Sequence, residues 1–113
     1  MNILITGGTG FLGQHILKEL GNTNNNVMVI SRSKSVEFDY VKSIIGDINN
    51  YEKINKKVIE FKPEVVIHLA WEGIPDFSLT KCHKNLSNSI NFFEYLLNNT
   101  NCKKVIVSGS CFE

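Results

Sequence analysis

The sequence contains 113 residues, 42% of them hydrophobic, and its formal net charge at pH 7 is +1. A chain of this length corresponds to one small domain, and its hydrophobic content is high enough for a packed core, which excludes a disordered tail or a fibre. The near-zero charge gives no reason to expect a nucleic acid or a membrane surface as partner, and no apolar run approaches the roughly 20 residues that would span a bilayer.

Short apolar runs alternate with amphipathic segments along the chain. The apolar runs predict buried strands at 2–6, 27–30, 41–45, 65–69 and 105–107. Apolar residues three or four positions apart predict helices at 11–20, 51–61 and 86–97. In the last helix, the predicted buried residues are Ile90, Phe93, Leu96 and Leu97. Strands that alternate with helices form a parallel sheet covered on both faces. We therefore predict a doubly wound α/β fold of the Rossmann type, in one domain over residues 1–113 that is truncated after about the fifth strand.

A glycine-rich loop joins the first strand to the first helix. Gly7, Gly10 and Gly13 are spaced G-x-x-G-x-x-G, and Gly8 with the last two also gives G-x-G-x-x-G. Glycine permits a sharp turn, lets the backbone approach a pyrophosphate and lets the helix pack closely on the strand, while the helix N-terminus offers N–H groups to phosphate oxygens. In a strand–loop–helix–strand unit this motif predicts a dinucleotide site, and the missing Gly-Lys-Ser/Thr excludes a P-loop.

The end of the second strand bears on which dinucleotide binds. An acidic residue there usually contacts the ribose 2′-hydroxyl of NAD, but this chain has Ser-Arg-Ser-Lys at 31–34, and the nearest acid is Glu37. Arg32 can pair with a 2′-phosphate through its planar fork of donors, so NADP(H) is favoured over NAD(H). The alternative is a solvated arginine on a loop.

Five short motifs follow one another in the order of a known family. They are Thr6-Gly7-Gly8-Thr9-Gly10-Phe11-Leu12-Gly13, Gly46-Asp47-Ile48, His68-Leu69-Ala70, the pair Asn85 and Asn91, and Ser108-Gly109-Ser110. On these residues the chain resembles the N-terminal half of the extended short-chain dehydrogenase/reductase family, which includes nucleotide-sugar epimerases, dehydratases and 4-keto-sugar reductases. The resemblance covers essentially all 113 residues, and the last five are most similar to reductases acting on nucleotide-linked 4-keto-6-deoxysugars.

The resemblance implies a nicotinamide dinucleotide as cofactor. Together with Arg32, the residues expected to bind it are Gly7, Gly8, Gly10, Phe11, Leu12, Gly13, Asp47, Ile48, Leu69, Ala70 and Asn85. By resemblance, Asp47 contacts the adenine amino group, and the backbone of the segment 68–70 lines the cofactor. Trp71 stands where the family commonly has a small residue. Ser110 matches the family's catalytic serine or threonine, which supports the reaction by a hydrogen bond to the reacting oxygen.

Three residues of these motifs also have structural interpretations. Asp47 can cap the turn after the third strand, and Asn85 can be a helix-surface residue. His68 is expected to pack under the sheet and not to bind a metal, because no second ligand lies at metal spacing. No metal site is therefore predicted.

The chemistry that the resemblance implies needs a tyrosine as general acid/base and a lysine four residues later that lowers the tyrosine pKa. The tyrosines Tyr40, Tyr51 and Tyr95 are followed four positions later by Ile44, Asn55 and Asn99. We therefore expect an N-terminal cofactor-binding fragment of a nucleotide-sugar oxidoreductase that is inactive alone, the nucleotide sugar being bound only by the complete enzyme. An epimerase or dehydratase is the alternative within this class, and a non-catalytic NADP-binding sensor module is the alternative from another class.

Two further expectations concern partners and location. Val105 to Val107 would form the last strand, and an open strand edge with exposed apolar residues recruits other chains, so self-association is expected. Cys82, Cys102 and Cys111 contain no C-x-x-C pair, and the sequence starts with no basic leader or cleavage site, which favours a cytoplasmic protein.

Overall fold

The computed structural model describes residues 1–32, 35–36, 38–71 and 78–109. The strands and helices in chain order are β1 (Asn2–Thr6), α1 (Phe11–Leu20), β2 (Asn26–Ser31), β3 (Val41–Ile45), α2 (Tyr51–Phe61), β4 (Val65–His68), α3 (Leu79–Asn99) and β5 (Lys104–Val107). In this part of the chain the strands form one parallel sheet in the order β3-β2-β1-β4-β5. The predicted doubly wound α/β fold is confirmed.

Two hydrophobic clusters cover opposite faces of the sheet. Leu4 packs in one cluster and its neighbours Ile3 and Ile5 in the other, because successive side chains of a strand point to opposite faces. The Leu4 cluster takes its helical residues from α2 and α3, namely Ile54, Val58, Phe61, Phe92, Tyr95 and Leu96. The other cluster takes Leu17 from α1. With helices on both faces, the carboxyl ends of the strands are the place where a ligand can approach.

Helix α3 is longer than the sequence predicts and buries a different face. It starts at Leu79, seven residues before the predicted start, and the Ser78 hydroxyl caps it by accepting the Lys81 N–H at 3.4 Å. The predicted buried residues Ile90 and Leu97 are 47% and 74% exposed. The residues buried in their place are Asn85, Phe92 and Tyr95, together with the correctly predicted Leu96. The exposed Ile90 and Leu97 are as apolar as the residues that meet the sheet, so periodicity alone did not identify the buried face.

Strand β5 lies at one edge of the sheet. It pairs with β4 on one side, and no other described strand pairs with it. Val105, Ile106 and Val107 are 37%, 47% and 53% exposed. The prediction of an exposed apolar strand edge is confirmed for the described part of the chain. No helix within those same residues is long and apolar enough to cross a membrane.

Candidate dinucleotide-binding site

The glycine loop between β1 and α1 is packed tightly against the rest of the chain at two positions. Gly7 adopts a φ of 73°, and a Cβ there would lie 2.7 Å from the Leu69 carbonyl carbon. A Cβ on Gly13 would overlap the carbonyl oxygen of Gly7. The sharp turn and the close packing of helix on strand that were predicted for this loop are therefore present.

Gly10 differs from the other glycines of the loop. Among the described residues, a Cβ on it would meet only the Gly7 carbonyl oxygen, at 3.4 Å, which is an ordinary contact. Gly10 is also the residue before α1, and it offers no side chain to cap the first N–H groups of the helix. Since the chain itself leaves room at Gly10, the space beside it and the N–H groups behind it are available to an anionic ligand.

A cavity of about 410 Å³ opens at the carboxyl ends of the strands. It is lined by all of the predicted cofactor-binding residues except Gly8, whose Cα instead faces the Val29 side chain on β2. Further lining residues are Thr6, Thr9, Ile30, Ser31, Gly46, Asn49, Trp71, Asn88, Ser89 and Ser108. The structure thus brings together residues from the glycine loop, β2, the turn after β3, β4 and α3. That each binds a cofactor stays a prediction. Ser33, Lys34 and Ser110 lie outside the described residues.

The charged side chains that line the cavity lie at one end of it, as far as the described residues show. Arg32 is exposed at the end of β2, and Asp47 lies in the turn after β3. The Asp47 carboxylate accepts the Asn49 N–H at 2.9 Å, so it does cap that turn while it also lines the cavity. Both interpretations of Asp47 are therefore compatible with its place in the fold.

The other end of the cavity lies between β4 and α3 and carries neutral polar side chains. Asn85 is only 4% exposed and its amide donates to the Lys81 carbonyl oxygen at 3.0 Å. The alternative of a helix-surface residue is wrong for Asn85, because the helix turns this face toward the sheet. Trp71 is 38% exposed and lines the same end.

His68 is buried between two hydroxyl groups. Its Nδ1 lies 2.7 Å from the Thr6 hydroxyl and its Nε2 lies 3.0 Å from the Ser89 hydroxyl. Burial lowers the pKa of His68 below its ordinary value, which favours the neutral ring at neutral pH. The imidazole ring also contacts the rings of Phe92 and Phe93, at centroid distances of 5.5 and 5.3 Å. His68 packs under the sheet as predicted.

The lining residues that were not singled out from the sequence include Thr6 as a side chain, Asn88 and Ser89. Asn85, Asn88 and Ser89 are three and four positions apart, which places them on one face of a helix. A polar stripe on a helix that otherwise packs on the sheet is a signal that would have identified them. No group of three or more His, Cys, Asp or Glu side chains able to hold a metal occurs in the described residues.

The sequence model of the NAD dependent epimerase/dehydratase family matches residues 3–113. The chain belongs to this family. The resemblance to nucleotide-sugar epimerases and dehydratases is therefore confirmed.

Individual family members are similar over nearly the whole chain. It is 28% identical to the bifunctional UDP-glucose 4-epimerase and UDP-xylose 4-epimerase 1 of Pisum sativum, with 96% of the chain and 36% of that protein covered. It is also 28% identical to CDP-glucose 4,6-dehydratase of Salmonella typhimurium, with 98% and 35% covered. The structure of UDP-glucose 4-epimerase from Thermotoga maritima with UDP-glucose matches with a TM-score of 0.78 at 25% identity, with 97% and 38% covered. The chain spans about a third of the length of the curated relatives it matches.

Proposed function

We propose that this chain binds a nicotinamide dinucleotide as the cofactor part of a nucleotide-sugar epimerase, dehydratase or 4-keto-sugar reductase. The observation that carries the proposal is the cavity at the strand ends, with the α1 N-terminus and the open space beside Gly10 at its centre. A pyrophosphate at Gly10 meets N–H groups and the positive end of the helix dipole. A bound nicotinamide ring would accept or donate a hydride at the sugar.

The two ends of the cavity suit the two halves of such a ligand. In a doubly wound sheet a dinucleotide lies across the strand ends, with its adenosine half over the second and third strands. Arg32, Asp47 and Ile48 line that end, and Leu69, Ala70 and Asn85 line the end toward β4 and α3, where the nicotinamide half would lie.

Gly10→Val provides the direct test, because this position has room for a Cβ while the ligand needs the same space. We expect calorimetric titration to detect NADH or NADPH binding to the parent chain and at least a tenfold loss in Gly10→Val, and thermal melts verify that the variant is folded. A folded parent chain that binds neither cofactor would refute the proposal.

We further propose that NADPH binds more tightly than NADH. Among the residues that the structure describes, Arg32 and Asp47 are the charged ones that line the cavity, and neither is a carboxylate at the end of β2 that could contact a ribose 2′-hydroxyl. Arg32→Ala is expected to weaken NADPH on the order of tenfold and to leave NADH unchanged. Equal affinities of the parent chain for both cofactors would remove this preference.

Catalysis by the chain alone is not expected. The sequence contains no Tyr-x-x-x-Lys, and Ser110 can hydrogen-bond a reacting oxygen but cannot replace the acid/base pair. NADPH oxidation with nucleotide 4-keto-sugars should therefore stay at background, and turnover that follows the protein through purification would contradict this.

A second candidate is a non-catalytic dinucleotide-binding sensor module, which would need no Tyr-x-x-x-Lys. A Tyr-x-x-x-Lys encoded downstream of codon 113 would support the enzyme and oppose the sensor.

For either candidate we propose a cytoplasmic location, supported by three cysteines without a C-x-x-C pair.

We propose that the isolated chain self-associates, with a second copy of the chain binding at β5. The open edge and its exposed apolar side chains support it, since such edges pair with other strands.

A further inference from the structure

Three hydrogen-bonded polar side chains lead from β1 through β4 to α3. Thr6 is fully buried and His68 is 3% exposed, and the ring of His68 joins the Thr6 hydroxyl on one side to the Ser89 hydroxyl on the other. Thr6 and Ser89 both line the cavity. The proposed function assigns no role to these three hydrogen-bonded side chains.

The surroundings of Thr6 determine which ring nitrogen of His68 carries the proton. The Thr6 hydroxyl oxygen accepts the Ala70 N–H at 3.3 Å, and its other partner within the described residues is His68 Nδ1. Between these two partners only Nδ1 can accept the Thr6 hydroxyl proton, and a buried hydroxyl proton without an acceptor is costly. Nδ1 is therefore the acceptor, and the single proton of the neutral ring is on Nε2.

This assignment sets the direction of the next hydrogen bond. His68 Nε2–H donates to the Ser89 oxygen, so the Ser89 hydroxyl retains its own proton for another acceptor. Serine in a helix often donates back to a carbonyl oxygen one turn earlier, but Ser89 makes no such bond within the described residues. The half-buried Ser89 hydroxyl instead lines the cavity.

We propose that Thr6 and His68 are positioning residues that hold the Ser89 hydroxyl as a hydrogen-bond donor to an oxygen of the nicotinamide-ribose half of a bound dinucleotide. Ser89 lies one helical turn after Asn85, at the end of the cavity opposite Arg32 and Asp47. The inference rests on the proposed function, because it requires that the cavity hold a dinucleotide in the stated direction.

Ser89→Ala and Ser89→Thr form the matched pair that tests the donor. Ser89→Ala removes the hydroxyl and should weaken NADH about three- to tenfold, whereas Ser89→Thr keeps it and should bind like the parent chain. AMP, which lacks the nicotinamide half, should bind all three proteins equally. Calorimetric titration of the 113-residue chain gives each affinity.

His68→Asn and His68→Gln test the positioning role. Asparagine reaches Thr6 but is too short to reach Ser89, whereas the glutamine amide can still donate to Ser89. His68→Asn should therefore weaken NADH as Ser89→Ala does, and the double variant should be no weaker than either alone, because His68 acts through Ser89. His68→Gln should retain most of the affinity.

Nitrogen-15 spectra of the imidazole ring report the tautomer in the parent chain, independently of whether any variant folds. A protonated Nε2 is expected, and a protonated Nδ1 would overturn the inference. If AMP and NADH bind but Ser89→Ala matches the parent chain, this inference fails and the proposed function stands. If the folded parent chain binds neither ligand, both fail.

Discussion

Strands β1 and β5 are both short, apolar and parallel, yet their environments are opposite. Leu4 and Ile5 are fully buried, whereas Ile106 is 47% exposed. The difference arises because β1 pairs on both sides and is packed by helices on both faces, while β5 pairs with β4 alone among the described strands. An apolar run thus predicts a strand, but its burial is decided by neighbours that are distant in sequence.

The largest expected effect is a difference in stability between matched isoleucines of these two strands. Ile5→Ala removes a fully buried side chain and should lower the free energy of unfolding by about 2–5 kcal/mol. Ile106→Ala removes a half-exposed side chain and should cost less than about 1 kcal/mol. Urea unfolding measures both. Equal losses would mean that β5 is covered in solution.

A second, smaller effect tests whether the dense packing around β1 continues into the glycine loop. Gly13→Ala places a Cβ against the Gly7 carbonyl oxygen and should destabilise the chain by about 1–3 kcal/mol, despite the better helix propensity of alanine. Gly10→Ala is the control and should unfold like the parent chain, because its Cβ has room. Thermal melts of both variants decide this, and equal destabilisation would show that the two sites are packed alike.

A third test concerns the exposed edge of β5. Ile106→Lys introduces a charge at this edge and should weaken self-association of the chain several-fold. Ile59→Lys on α2 is a matched control, since Ile59 is 42% exposed but lies on a helix and not on β5. Sedimentation velocity at several concentrations measures the effect. A parent chain that is monomeric at all of them would contradict association through β5.

The smallest expected effect comes from β4, the strand between β1 and β5. Because burial lowers the pKa of His68 in the folded chain, the unfolded chain takes up its proton at a higher pH than the folded chain does. Stability from this group is therefore complete above the ordinary value of 6.5 and falls as the pH drops through it. Urea unfolding at pH 7.5 and 5.5 should show the loss in the parent chain, and His68→Gln should reduce it. An identical loss in both would assign it to other groups.

Local patterns predicted the part of the molecule that local interactions determine. The strand and helix at the glycine loop were located correctly, because a turn that needs glycine leaves a clear trace in the sequence. The start of α3 was missed because its first turns, capped by Ser78, contain no apolar periodicity. Its buried face was partly wrong because Ile90 and Leu97 are as apolar as the residues that meet the sheet.

The candidate site was predicted in the same uneven way. Its loop residues were recognised individually from a motif, whereas the contribution of Ser89 depends on the placement of His68 on a strand 21 positions away. A distance of that kind is set by how α3 docks on the sheet, and no spacing in the sequence encodes it directly.

The glycine loop also suggests how a descendant of this family that stopped using a cofactor would be recognised. A Cβ at Gly7 or Gly13 would clash with the chain's own backbone, so selection for folding alone would keep these two glycines. A Cβ at Gly10 would meet no atom of the described residues closer than 3.4 Å, so a bound ligand gives selection a reason to keep this glycine that packing of a Cβ does not. Among homologues, drift at position 10 with the other two glycines intact would therefore mark lineages that have lost dinucleotide binding while retaining the fold.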